Sequence, residues 1–267
     1  MRDMNAIVGT ADVVFVVLDT LRFDVAEAAL AAGETPNFSR LVGSWERRLT
    51  PACFTYAAHH AFFAGFLPVP DRPGVHPRAF ACAFEGSQTI DAKTCVFDTP
   101  DIVTGFAARG YRTVCVGGVG FFNPATPLGR VLPSLFQEAH FDRKLGVTDP
   151  RSTEHAFSLA ARVLRASPPG QRLFLYVNVA AIHQPNHFYA GQGQVADDLV
   201  SHRAALRYVD GCLPILEEGV RSRARVFGIF CSDHGTAYGE DGFFGHRAPH
   251  PVVNAVPYAE VMWPADR

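Results

Sequence analysis

The sequence predicts an α/β fold, a three-layer α/β/α sandwich around a mainly parallel central sheet. Three observations predict it. Short apolar, β-branched runs alternate with helix-like segments, the pattern of strands joined by crossover helices and covered on both faces. Polar residues able to hold a metal follow the carboxyl ends of those runs, where open α/β sheets bind their ligands. Hydrophobic residues make up 48% of the 267 residues and charged ones 19%, enough for a large core and too apolar for a disordered chain. The length fits one large domain over residues 1–267.

The elements follow in order. Val13–Leu18 is an apolar run without alternation and predicts a strand buried on both faces. Arg22–Ala32 reads as a helix. Thr35-Pro36-Asn37 opens another through Leu41, with Thr35 as the N-cap and Pro36 in the first turn. Ala57–Phe63 reads as a helix with Thr55 just before it, and Asp101–Arg109 as another. Tyr111–Val116, Arg172–Val179 and Arg225–Cys231 are further strands. Thr153–Arg165 and Asp198–Leu216 are amphipathic helices between them. Pro68–Pro77 and Gly117–Pro133 are rich in Pro and Gly and predict surface loops over the sheet edge; Gly191–Ala196 predicts a short flexible loop.

Charge and cysteine usage narrow the class. Twenty-four Lys and Arg against 26 Asp and Glu give a net charge of −2, without the basic footprint of a nucleic-acid binder. Six cysteines, at 53, 82, 95, 115, 212 and 231, are widely spaced with no CxxC pair, which argues against a disulfide framework or a zinc knuckle. Cys115 and Cys231 fall in apolar runs and read as small buried hydrophobes. Residues 1–12 hold no apolar stretch long enough for a signal peptide, and the six residues Val13–Leu18 are too few to span a bilayer. The expectation is a reduced, cytoplasmic protein without a membrane partner.

Four segments carry chemistry. Asp19 ends the first strand, as a helix cap or as a ligand facing the crevice. Ser232-Asp233-His234-Gly235 follows the RVFGIFC strand; adjacent Asp and His can turn to one cation, and Gly235 allows a sharp turn. His246 lies 12 residues after His234, across the Gly-rich, hairpin-like TAYGEDGFFG, and His183 and His187 bracket Gln-Pro-Asn after another strand. Thr55 stands at a helix start, as a plain cap or as a nucleophile beside free N–H groups that favour an anion. Of the other loop histidines, His187, His202 and His250 read as exposed.

The order of Asp-Thr-Leu-Arg-x-Asp (from Asp19), Thr-Pro-Asn-x-x-Arg-Leu (from Thr35), a nucleophile segment ending Ala-Gly-Phe-Leu-Pro (at Pro68), His-Gln-Pro (from His183) and Ser-Asp-His-Gly (from Ser232) resembles the sulfatase-like branch of the alkaline phosphatase superfamily. Within it the chain is most similar to a poorly characterised bacterial subfamily of small sulfatase-like hydrolases with a threonine nucleophile. The likeness runs from residue 13 to about 262 and implies the alkaline phosphatase/sulfatase-like form of the sandwich. It implies that Asp19, Asp233 and His234 bind a divalent metal, Zn²⁺ or Mn²⁺. Thr55 would be nucleophile and metal neighbour, and His183 and His246 would contact substrate or help hold a second metal with His187. SDHGTAYGEDGFFGH is very like the matching segment of lipid A phosphoethanolamine transferases.

The departures set expectations too. Formylglycine sulfatases need Cys or Ser in Cys-x-Pro-x-Arg; this chain has Thr55-Tyr-Ala-Ala-His59, and Cys53 does not restore the pattern. The Asp-x-x-x-His of two-zinc members is missing between Asn178 and His183, and His59 stands where the motif's Arg would be. The expected function is metal-dependent hydrolysis or transfer of a small-molecule or peptide-linked phosphate or phosphonate ester through phospho-Thr55. The alternatives are a sulfate ester hydrolase without formylglycine and a catalytically degenerate scaffold in a biosynthetic complex. A mutase is disfavoured, since no segment is long enough for its cap domain. Of the 11 histidines, His234, His246 and His183 are assigned to the site, His59, His60, His187 and His250 to its neighbourhood, and His76, His140, His155 and His202 to neither.

Overall fold

The structure is a computed structural model that describes residues 2–65, 80–81, 95–96 and 101–264. Its elements run α1 (Met4–Ile7), β1 (Asp12–Leu18), α2 (Phe23–Ala31), α3 (Pro36–Val42), β2 (Glu46–Leu49), α4 (Thr55–Ala64), β3 (Phe80–Ala81), β4 (Cys95–Val96), α5 (Ile102–Ala108) and β5 (Arg112–Val116). They continue with β6 (Glu138–His140), α6 (Ser152–Ala166), β7 (Leu173–Val179), α7 (Leu199–Val220), β8 (Arg225–Cys231), β9 (Ala237–Tyr238), β10 (Phe244–Gly245), α8 (Pro251–Asn254) and β11 (Ala255–Pro264).

Seven strands form the central sheet in the order β2-β11-β8-β1-β7-β5-β6. β8, β1, β7, β5 and β6 run parallel, and β11 lies antiparallel between β8 and β2. β1 lies between β7 and β8, and all seven of its residues are buried. Its alternate side chains enter two cores. Val14, Val16 and Leu18 pack with α2, α3, α6 and α7 on one face, and Val13, Phe15 and Val17 with α4 and α5 on the other. The unbroken apolar run is thus a strand covered twice. At about 25 cal/mol per Å² of apolar surface removed from water, such strands are a main source of stability.

The predicted strands and helices are present, with ends moved by up to four residues; α7 runs on to Val220. β2, β6 and β11 were not predicted. Residues 255–264 carry two prolines, which read as breakers, yet β11 pairs on both sides. Three expectations need correction. Thr35 stands at the N-cap of α3, but its hydroxyl makes no cap bond and has no partner. Gly117–Pro133 is not a plain surface loop: Phe122 is buried and stacks on Tyr176 at 5.6 Å between ring centroids, and Val131, Leu132 and Pro133 are buried. His202 and His250 are buried rather than exposed. His202, on the buried face of α7, accepts the Arg22 amide, and His250 caps α8 by accepting the Val252 amide. Pro68–Pro77, His76 and Cys82 lie outside the described residues, as does the side chain of Cys95. Cys53, Cys115, Cys212 and Cys231 are free thiols.

Candidate metal centre and active site

The carboxyl ends of β1, β7 and β8, three neighbours in the sheet, deliver the polar residues to one place. Asp19 directly follows β1, and Ser232-Asp233-His234 directly follow β8. Asp19, Asp233 and His234 are fully buried, and one ligand atom of each lies within 4.8 Å of the others.

The hydrogen bonds show which atoms are free. Asp19 Oδ2 accepts from the Asn178 amide group at 3.2 Å, while Oδ1 has no partner. Asp233 Oδ1 accepts the backbone N–H groups of Thr20 (3.2 Å) and His234 (3.0 Å), while Oδ2 has no partner. His234 Nδ1 faces the Gly235 carbonyl at 2.9 Å, and a carbonyl only accepts, so Nδ1 carries the proton and Nε2 presents its lone pair. His234 Nε2 lies 3.9 Å from Asp19 Oδ1 and 3.6 Å from Asp233 Oδ2. One atom of each side chain is therefore held by the protein, and the other points into a shared centre. Two buried carboxylate oxygens without partners are costly unless a cation joins them. Two oxygens and one imidazole nitrogen, each oriented by an outer hydrogen bond, fit a divalent ion such as Zn²⁺ or Mn²⁺.

The electrostatics agree. Burial, and then the charge of Asp233, push the Asp19 carboxyl up to about 6. Burial pushes Asp233 up to about 6 against the amides that hold it. Burial lowers His234. The backbone is strained at the same point: Thr20 has φ 64°, an outlier for a β-branched residue. That conformation turns the Thr20 N–H onto Asp233.

Thr55 is the first residue of α4, and the N-cap is Phe54. Of the two readings of Thr55, the plain cap does not fit. Its hydroxyl faces His234 Nε2 at 3.2 Å instead of capping a backbone amide. Beneath it, His59 Nδ1 donates to the Thr55 carbonyl at 2.6 Å, and Tyr176 OH donates to His59 Nε2. Burial lowers His59 to about 3, so it is neutral. It stands where the resemblance places an arginine, and it braces the first turn of α4 at Thr55. His183 and His246 flank the centre outside the ligand cluster. Their rings lie 5.3 Å apart, and the His246 ring lies 4.5 Å from that of His234. His246 Nδ1 is buried without a partner, and burial followed by the two neighbouring imidazoles lowers it to about 3. His183 Nδ1 donates to the Gln184 carbonyl at 2.5 Å, leaving Nε2 free. His187 instead pairs with Asp197 at 3.3 Å.

A cleft of about 640 Å³ opens beside Thr55, His183 and His246, walled by Gly118–Phe121, Gly146–Thr148, Arg143 and Arg247. Sequence reading missed Asn178, Thr20 and Tyr176. The signal for Asn178 was present: an amide near the end of the apolar run RLFLYVNV. Arg22 and Asp24 are part of the scaffold. The buried Arg22 guanidinium joins Asp24, Glu240 and the Thr236 carbonyl, tying the end of β1 to the loop after β8. Gly235 was expected to allow a sharp turn, and its φ is not positive. It is needed because a Cβ there would lie 2.1 Å from the Val252 carbonyl oxygen.

No family model matches the chain. No curated protein matches it in sequence. Solved structures do match in fold. The C-terminal periplasmic domain of EptC from Escherichia coli, in complex with Zn, superposes with a TM-score of 0.67 at 12% identity, covering 96% of this chain and 73% of that one. The soluble domain of lipooligosaccharide phosphoethanolamine transferase A from Neisseria meningitidis gives 0.63 at 14% identity, covering 95% and 77%. A protein of the alkaline phosphatase superfamily from Vibrio parahaemolyticus gives 0.60 at 14% identity, covering 96% and 60%. The fold is that of the alkaline phosphatase superfamily.

Proposed function

We propose that this protein is a metal-dependent hydrolase or transferase of phosphate esters or phosphonates that works through a covalent phospho-Thr55 intermediate. The observation that carries the reading is the convergence of Asp19 Oδ1, Asp233 Oδ2 and His234 Nε2, with the Thr55 hydroxyl 3.2 Å from that nitrogen at the first turn of α4. The shared fold with a phosphoethanolamine transferase and with a domain solved with Zn supports it.

Asp19, Asp233 and His234 would hold the cation. When bound, it supplies positive charge that acidifies a neighbouring hydroxyl and offsets charge on phosphoryl oxygens. The residues do the rest. Thr55 Oγ1 attacks phosphorus in line with the leaving oxygen. The N-terminus of α4, at Thr55, would add the positive end of the helix to the stabilisation of the equatorial oxygens. His183, with Nδ1 committed to Gln184 and Nε2 open to the cleft that Thr55 also lines, would take the Thr55 hydroxyl proton on Nε2 as Oγ1 attacks and hand it to the leaving oxygen. His246 is neutral and lends a hydrogen-bonding nitrogen. Water or an acceptor alcohol then takes the phosphoryl group from Thr55 by the reverse use of the same groups.

The test is zinc- or manganese-loaded protein incubated with aryl phosphate mono- and diesters and an aryl phosphonate, with mass spectrometry of the quenched enzyme. A phosphoryl adduct on the peptide holding Thr55, lost in Thr55→Ala, is the expected result. Turnover that survives that substitution refutes the nucleophile.

A further inference from the structure

We propose that the substrate's organic part carries a second anionic group, a carboxylate or a further phosphate, held by Arg143 and Arg247 across the cleft from Thr55. The proposal rests on the reading of Thr55 as phosphoryl acceptor and names the substrate class that reading leaves open.

Four observations converge on it. The cleft of about 640 Å³ gives far more room than a phosphoryl group needs and falls within the range for whole small-molecule ligands. Arg143 and Arg247 line it, and among the described residues no Asp or Glu does. Neither guanidinium has an ion-pair partner among the described residues. The carboxylate next to Arg143, that of Asp142, is already used to accept the Lys144 amide. Unpaired guanidiniums in an acid-free cleft are a forked receptor for a planar or tetrahedral anion.

Both arginines are placed by the backbone rather than by chance. Arg247 has φ 80°, a left-handed conformation that a side-chain-bearing residue rarely adopts. Its amide donates to the Cys53 carbonyl at 2.9 Å, fixing it to the segment that leads into Thr55. A glycine would satisfy that turn without strain; an arginine stands there instead. Such strain is retained mainly at functional positions. Arg143 rides on the turn ending at Gly146. That turn stacks on the loop after β5 so closely that a Cβ on Gly118 would lie 2.1 Å from the Leu145 carbonyl carbon. Phe121, Leu128, Phe141 and Val147 line the same cleft and give it an apolar wall suited to a hydrocarbon or aromatic linker.

Isothermal titration of the zinc-loaded protein with three phosphonates tests this. Benzylphosphonate is the reference, and 4-carboxybenzylphosphonate and 1,4-xylylenediphosphonate carry the second anion. At least one of the latter two should bind about tenfold tighter than the reference, and which one does identifies the anion. In Arg143→Met and Arg247→Gly together the advantage should fall to near one. Arg247→Gly relieves the strained φ, so melting temperature serves as the control that a loss is not misfolding. An advantage absent from the parent, or intact in the double variant, overturns the proposal while leaving the phosphoryl-transfer reading standing. Failure of all three phosphonates to bind overturns both.

Discussion

The hydroxyl of Thr55 and Nε2 of His234, 179 residues apart in sequence, lie 3.2 Å from each other in a buried pocket. The histidine's other nitrogen is committed to the Gly235 carbonyl, so the nitrogen facing Thr55 is the basic one. On the proposed reading, Thr55 as nucleophile beside His234 as metal ligand implies distinct consequences for substitutions at each position.

Thr55→Ala should lower kcat by about a thousandfold or more, as removal of a covalent nucleophile does, while zinc affinity changes little. Thr55→Ser keeps the oxygen and should recover a measurable part of the rate. Kinetics with a parallel zinc titration check both; loss of zinc binding in Thr55→Ala would show that the hydroxyl is needed as a ligand.

Metal-free protein should lose stability as pH rises from about 4 to 6 on account of Asp19 and Asp233. Their carboxyls are raised from 3.8 to about 6 in the fold, so the folded state holds more protons than the unfolded one across that window. A cation binds the charged forms and reverses the sign. The rise in melting temperature on adding zinc should therefore be small near pH 5 and large at pH 7.5. Asp19→Asn should stabilise the metal-free protein at pH 7.5 by about 1–3 kcal/mol and abolish the zinc response. A metal-free Asn variant less stable than the parent would count against the mutual repulsion of the two acids.

Asn178→Leu removes the donor that orients Asp19 at 3.2 Å without touching the three ligand atoms. Loss of an outer-shell partner of this kind typically costs 10–100-fold in metal affinity. Competition titration against a chelating dye measures it, and unchanged affinity would mean the amide only fills space.

Gly235→Ala forces its methyl to within 2.1 Å of the Val252 carbonyl oxygen and 3.2 Å of Arg22 Cγ. The loop carrying Asp233 and His234 must then shift. Overpacking of this kind costs about 1–3 kcal/mol, and zinc affinity should fall with it. Urea unfolding midpoints and the dye titration together test the expectation; parent-like values in both would refute it.

The parts legible in sequence were those whose cause is local. Unbroken apolar runs marked β1, β7 and β8, since no other local structure buries such a run so fully. The position directly after β1 marked Asp19 and the second position after β8 marked Asp233, because a strand's end is a position in sequence as well as in space. Asn178 was harder, because its partner is 159 residues away. The two arginines of the cleft were invisible, since what matters is the carboxylates that are not near them. His202 and His250 looked like ordinary exposed histidines; His202 is buried on α7 under the segment after β1, and His250 at the start of α8, contacts that form only in the folded chain. Gly235 was read for its turn, but its reason lies in α8, a contact between loops that no periodicity encodes.

The position of β1 between β7 and β8 has a consequence for how the protein comes into being. Asp19 leaves the ribosome more than two hundred residues before Asp233 and His234. No shorter stretch of chain can assemble the three ligand atoms, because the segment that supplies two of them is also the one that closes the middle of the sheet. On the proposed reading, cation capture would wait on the most non-local strand pairing among the described residues and could not guide the steps before it. The ion would act as a late clasp, and its release rate should track the unfastening of β8 from β1 more closely than any local loop motion.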